Sequence, residues 1–122
     1  MSHYLVTGGA GFIGSHLVRA LLREGHQVRV IDSLLNGKKE NLEPGAELIV
    51  ADIVDKGAIR NAFDGMDGVF HLAALPRVPY SIEHPIESTS VNVMGLLNVL
   101  VCAREAGVKR VVYDTWVVVK SV

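Results

Sequence analysis

A chain of 122 residues holds at most one domain, and 49% hydrophobic with 20% charged residues is the composition of a soluble, core-forming protein. Its 13 acidic and 12 basic side chains leave a formal net charge of -1, which gives no electrostatic reason to expect nucleic acid or an anionic membrane as partner. No apolar run approaches the roughly 20 residues of a bilayer span, the opening residues show no leader-like pattern, and Cys102 is the only cysteine, so no intrachain disulfide forms and a reducing, cytoplasmic location is expected.

Apolar runs alternate with helical patterns, without repeats or low-complexity tracts. His3–Thr7 reads as a buried strand, and Phe12–Glu24 as a helix with Ile13, Leu17 and Leu21 on one face. Gly25 ends that helix, and Gln27–Asp32 is a second strand carrying Val28, Val30 and Ile31. Ser33–Pro44 is polar and turn-rich. Ala46–Ala51 is a third strand, Lys56–Phe63 a short helix and Gly68–Leu72 a fourth strand. A proline-rich loop (Pro76, Pro79, Pro85) leads to a long helix over Ile86–Ala106, closed by Gly107, and Arg110–Tyr113 begins a fifth strand. Such alternation predicts right-handed crossovers and an α/β fold: a doubly wound parallel sheet in the order 3-2-1-4-5.

Between the first strand and the first helix lies a glycine-rich turn, readable as Gly9-x-Gly11-x-x-Gly14 or as Gly8-x-x-Gly11-x-x-Gly14. A helix N-terminus offers unpaired N–H groups and the positive end of its dipole, which suits a pyrophosphate. Glycine removes the Cβ that would block the turn, the diphosphate or close helix–sheet packing. Taken alone, the motif fits a ligand-free tight turn equally well. Asp32 changes that balance. It ends the second strand, eighteen residues beyond Gly14, where a carboxylate can accept hydrogen bonds from an adenosine ribose. A 2′-phosphate would be repelled there, so NAD is expected over NADP, although Lys38 and Lys39 could reach a phosphate. No Gly-Lys-Ser/Thr follows the glycines, which disfavours a P-loop. Residues 1–122 are therefore expected to form a Rossmann-type NAD-binding domain.

Further blocks follow in order: Thr7-Gly8-x-x-Gly11-x-x-Gly14, Asp32-Ser-Leu-Leu-Asn-Gly-Lys-Lys-Glu-Asn-Leu42, Ala51-Asp-Ile53, Val69-Phe-His-Leu-Ala-Ala74, Val78-Pro-Tyr-Ser-Ile-Glu-His-Pro85, Val91-Asn-Val-Met-Gly95 and Ala106-Gly-Val-Lys-Arg-Val-Val-Tyr113. With them the chain resembles the extended short-chain dehydrogenase/reductase family, in particular its NAD-dependent sugar-nucleotide epimerases and dehydratases, and most of all the UDP-glucose 4-epimerase-like enzymes. The resemblance implies that Gly8, Gly11, Phe12, Ile13 and Gly14 face the pyrophosphate of NAD and that Asp32 meets the adenine ribose. It places Asn36 and Gly37 near the adenosine half, and Asp52 and Ile53 beside the adenine. Leu72, Ala73 and Ala74 would line the cofactor where it crosses the fourth strand, with Asn92 close behind, and the Leu75–Pro85 loop would face a nucleotide-sugar. It also implies oxidation and reduction at the sugar C4 through a 4-keto intermediate, and a homodimer to which helix 86–106 would contribute. Leu96 stands where the family usually has threonine, and is read as helix packing.

In that family the fifth strand leads to a Ser/Thr that polarises the sugar hydroxyl, and then to Tyr-x-x-x-Lys, the acid/base pair. Here Trp116 falls at the Ser/Thr position with Thr115 beside it, and Asp114 replaces a small residue. Four residues after Tyr4, Tyr80 and Tyr113 stand Gly8, His84 and Val117, so Tyr-x-x-x-Lys is absent and no catalytic residue is assigned. The expectation is a domain truncated after the fifth strand, lacking its substrate domain, inactive alone, and marginally soluble because of an uncovered sheet edge; Val117–Val119 still reads as strand. Three readings stay open: the NAD-binding part of an epimerase, or of a sister 4,6-dehydratase or decarboxylase; a catalytically dead NAD-binding or regulatory module; and a non-functional gene fragment.

The other polar residues take plainer readings. His71, inside an apolar strand, is expected to be a hydrogen-bonded core histidine rather than a base. His16 and His26 are expected to face solvent, and Cys102 to fill core. No His, Cys, Asp or Glu spacing suggests a metal. Arg77 and Ser81 could touch substrate or only solvent, and Arg104, Lys109 and Arg110 look like a solvated helix end.

Overall fold

The strands His3–Thr7 (β1), Gln27–Asp32 (β2), Glu47–Val50 (β3), Gly68–His71 (β4) and Arg110–Tyr113 (β5) pair in parallel in the order β3-β2-β1-β4-β5, as the alternation of elements predicts. The structure is a computed structural model describing residues 1–35, 37–73, 86 and 90–113. The expected strand at Val117–Val119 and the loop at Leu75–Pro85 lie outside the described residues. Among the described residues, three α-helices cross over the sheet: Phe12–Arg23 (α1), Lys56–Ile59 (α2) and Gly95–Glu105 (α3).

Register aligns Ile49, Ile31, Thr7, His71 and Tyr113 in one row near the C-terminal rim of the sheet. Side chains alternate between the two faces, and over the central strands β2, β1 and β4 both faces are covered, which is why these read as apolar runs. On one face Leu5, Ile31 and Val69 pack with Ile53, Ile59, Ala62, Phe63, Val99, Cys102 and Ala103. On the other, Val6, Val28 and Val30 pack with Val18 of α1, flanked by Leu17, Leu21 and Leu22. Phe63, Leu5, Ile31 and Ile59 are fully buried, and each such side chain contributes about 1.5–3 kcal/mol. Cys102 is buried as expected, and its burial pushes the thiol pKa up.

Both long helices end in the same way. Gly25 (φ +86°) and Gly107 (φ +74°) adopt the left-handed conformation. After α1, Gly25 N–H donates to the Leu22 carbonyl and His26 N–H to Leu21; after α3, Gly107 donates to Arg104 and Val108 to Ala103. These paired bonds satisfy the last carbonyls of each helix, and glycine avoids the Cβ clash that φ imposes.

Some boundaries differ from expectation. The single helix foreseen over Lys56–Phe63 is α-helical only to Ile59, then tightens into a 3-10 turn over Arg60–Phe63 ahead of the Gly65 turn, a common way to finish a short helix. β3 is Glu47–Val50 rather than Ala46–Ala51, because Ala46 N–H closes a turn onto Glu43. Within the long helix expected over Ile86–Ala106, Ser90–Met94 forms a π-helical turn leading into α3, and residues 87–89 lie outside the described residues. Ile86 is itself helical and 85% exposed. His26 is half-buried rather than solvent-facing: its Nδ1 accepts from Ser2 N–H at 3.1 Å, and its ring meets Tyr4 edge-on at 5.0 Å. His16 is exposed as expected.

Candidate functional site

The glycine turn lies over the C-terminal ends of β1 and β4. Gly8 is left-handed (φ +75°), and a Cβ there would meet Ala73 N at 2.8 Å and the Leu72 carbonyl carbon at 2.9 Å. Gly9 is buried, where a Cβ would stand 2.6 Å from Val30 Cγ1. A Cβ on Gly14 would collide with the Gly8 carbonyl oxygen. These three glycines are therefore demanded by the protein's own packing. Gly11 is different: its φ is -77°, and a Cβ would meet only the Gly8 oxygen, at 3.4 Å. The space beside Gly11 is open to a ligand.

Gly11 is also the N-cap of α1 and has no side chain to cap the first-turn amides of Phe12, Ile13 and Gly14. Those N–H groups have no partner within the helix. The side chains of Phe12 and Ile13 are 80% and 55% exposed, so this end presents backbone donors to an anion, with the helix dipole behind them.

Asp32 is buried at the end of β2. Its Oδ2 accepts from Ala10 N–H at 2.9 Å and its Oδ1 from Leu34 N–H at 2.7 Å. A carboxylate has about four lone-pair sites, so two remain for ligand hydroxyls. Leu34 takes φ +63° to close this local turn, a strained conformation of the kind found at ligand clamps. Ala10 is held from its other side as well: Lys38 N–H and Asn41 Nδ2 both donate to its carbonyl, at 3.2 and 3.1 Å. Gly37 packs so closely that a Cβ would lie 2.8 Å from the Ala10 carbonyl carbon. Lys38 lines a shallow depression shared with Phe12, Ser15, His16, Arg19, Glu40 and Asn41.

Asp52 is exposed and caps its own turn by accepting from Val54 N–H at 3.0 Å. The side chain of Ile53 is committed to the core, tight against Gly95, and Asn98 Nδ2 donates to the Ile53 and Val54 carbonyls, both at 2.9 Å. Leu72 and Ala73 adjoin the glycine turn, their amides donating to Thr7 Oγ1 at 3.1 and 3.2 Å, with Leu72 N–H shared with the Thr7 carbonyl at 3.0 Å. Asn92 sits half-buried in the π-helical turn. The fold thus gathers Gly8, Gly11, Phe12, Ile13, Gly14, Asp32, Gly37, Leu72 and Ala73 around one rim. Asn36, Ala74, Arg77, Ser81, Thr115 and Trp116 lie outside the described residues. Thr7, Asn41 and Asn98 hold the site yet escape sequence reasoning. A threonine directly before the glycines was the one available signal.

His71 is the hydrogen-bonded core histidine expected: it is buried and lies 2.7 Å from Thr7 Oγ1 through Nδ1. Burial lowers its pKa from 6.5 to about 4. Among the described residues, no helix is long and apolar enough to cross a membrane.

Residues 4–114 match the family described as NAD dependent epimerase/dehydratase. The UDP-glucose 4-epimerase of Lactobacillus helveticus is 37% identical over 113 residues, covering 91% of this chain and 34% of that protein. The UDP-N-acetyl-alpha-D-glucosaminuronate decarboxylase of Bacillus cytotoxicus is 39% identical over 112 residues, covering 89% of this chain and 35% of that protein. The crystal structure of Thermus thermophilus UDP-glucose 4-epimerase in complex with NAD superposes with a TM-score of 0.85 at 42% identity, covering 89% of this chain and 36% of that one. The chain thus spans about a third of the length of the relatives it matches.

Proposed function

Because the chain belongs to the NAD dependent epimerase/dehydratase family, we propose that its 122 residues are the NAD-binding part of a UDP-glucose 4-epimerase-like enzyme. The observation that carries this reading is the open face of Gly11 beside the uncapped amides of Phe12, Ile13 and Gly14, with Asp32 at the neighbouring strand end. Those amides would bind the pyrophosphate. The free lone pairs of Asp32 would take the ribose hydroxyls, and its charge would turn away a 2′-phosphate. Gly37, Leu72 and Ala73 would complete the walls, with Asp52 and the Ile53 backbone at the adenine end; Asn36, Ala74 and Asn92 are proposed members of the same site. When bound, the dinucleotide supplies reversible hydride acceptance at the sugar C4.

The residues described here bind and orient; none is an acid/base pair of the Tyr-x-x-x-Lys type, which the 122 residues lack. By themselves they would bind NAD without turnover, which is also the behaviour of a catalytically dead binding module. The decarboxylase likeness favours a second activity class on the same cofactor site. A nucleotide-sugar substrate and a cytoplasmic location belong to the proposal. So does a homodimer through the region of α3, which leaves Val93, Met94, Leu97 and Leu100 between 37% and 51% exposed.

The test is a calorimetric titration with NAD and with NADP, beside an assay of UDP-galactose to UDP-glucose conversion. Saturable NAD binding, weaker NADP binding and no conversion are expected. Absence of NAD binding, or a preference for NADP, would sink the reading.

A further inference from the structure

The cofactor reading gives His71 no role, yet its bonding partner stands at the hinge of the site. Thr7 Oγ1 lies 2.7 Å from His71 Nδ1, 3.1 Å from Leu72 N and 3.2 Å from Ala73 N. A backbone N–H can only donate, so Ala73 N–H takes one lone pair of the hydroxyl, and Leu72 N–H, shared between Oγ1 and the Thr7 carbonyl oxygen at 3.0 Å, faces the other. The hydroxyl's single proton then points to Nδ1, which must be bare. We propose that His71, as the Nε2–H tautomer, is a positioning residue: it orients the Thr7 hydroxyl to accept from two amides and so fixes the end of β4 against Gly8.

There is little slack in that arrangement. The Gly8 turn approaches Leu72 and Ala73 too closely to admit a Cβ, so a shift of either amide moves the floor of the turn. A ring protonated at Nδ1 could only donate to Oγ1, and the loser would be Ala73 N–H, since Leu72 N–H keeps the Thr7 carbonyl. Burial holds the ring neutral at pH 7, with no charged side chain contributing to the shift. Its neighbours in register are Thr7 on β1 and Tyr113 on β5. The inference rests on the cofactor reading only for its consequence in binding; the hydrogen-bond arrangement belongs to the chain without ligand.

The test uses the whole chain with 15N-labelled histidine at pH 7, without NAD. A long-range 1H–15N correlation should show His71 with an unprotonated Nδ1 and a protonated Nε2. A protonated Nδ1 overturns the proposal, and this reading needs no substitution. Amide exchange at Ala73 should quicken about tenfold in His71→Phe, and that at Leu72 less, because the Thr7 carbonyl still holds it. Exchange should return toward the parent rate in His71→Asn, whose side-chain oxygen can replace Nδ1 as acceptor. Unchanged exchange in His71→Phe also overturns it. NAD titration of the three proteins should then weaken with His71→Phe and recover with His71→Asn. If the parent binds no NAD, the cofactor reading fails, while the tautomer and exchange results still decide this one.

Discussion

A methyl group on Gly14 would run into the Gly8 carbonyl, whereas one on Gly11 would meet only an ordinary contact. Gly14→Ala should therefore cost about 1–3 kcal/mol of stability, the usual penalty of overpacking, measured by urea unfolding. Gly11→Ala should stay within about 1 kcal/mol of the parent, because a poorer N-cap is offset by a stiffer unfolded chain. It should nevertheless weaken NAD binding, since only the ligand needs that space; equal NAD affinity would count against the site. His71 sets a pH dependence of its own. Its folded pKa of about 4 lies below the ordinary 6.5, so the unfolded chain takes up the proton first. Stability is then full above pH 6.5 and falls between there and pH 4, by about 3 kcal/mol in all. Urea midpoints across that range should show the fall, and His71→Asn should remove this part of it.

Between elements, Ala10 is the joint. Its N–H is held by the end of β2 and its carbonyl by the segment after it, through Lys38 and Asn41. Asn41→Ala should cost about 1 kcal/mol and lower NAD affinity, with thermal unfolding and titration as the two readouts; loss of stability alone would make Asn41 merely structural. The order of the strands, the glycine stops at Gly25 and Gly107, and the place of Asp32 were all legible in sequence, because each depends on local pattern or short-range spacing. The bonds of Asn41 to Ala10, Asn98 to Ile53 and Thr7 to Ala73 span 31, 45 and 66 positions. No local pattern marks them. The change to 3-10 after Ile59 and the π-helical turn ahead of Gly95 escape for another reason: apolar spacing marks a buried face but does not fix the number of residues in each turn. Asp32 was foreseen as a ribose ligand, and its two backbone bonds add a structural duty that its strand-end position alone does not reveal.

For the molecule as a whole, ligand linkage gives a direct check. NAD at about a hundred times its Kd should raise the unfolding free energy by about 2.7 kcal/mol, and no shift in the melting temperature would contradict a site on the folded chain. Among the described residues the two sides of the sheet are unequal: ten buried residues form the cluster beneath α2 and α3, and four the cluster beneath α1. The thinner side carries the helix whose first turn is proposed to bind the dinucleotide. Partial opening should therefore begin at α1, with its amides exchanging through lower-energy fluctuations than those of α3. Binding must then quiet the looser half, and part of the affinity is spent on ordering it. A ligand grip built on the less anchored half makes the dinucleotide itself a missing piece of that half's cohesion.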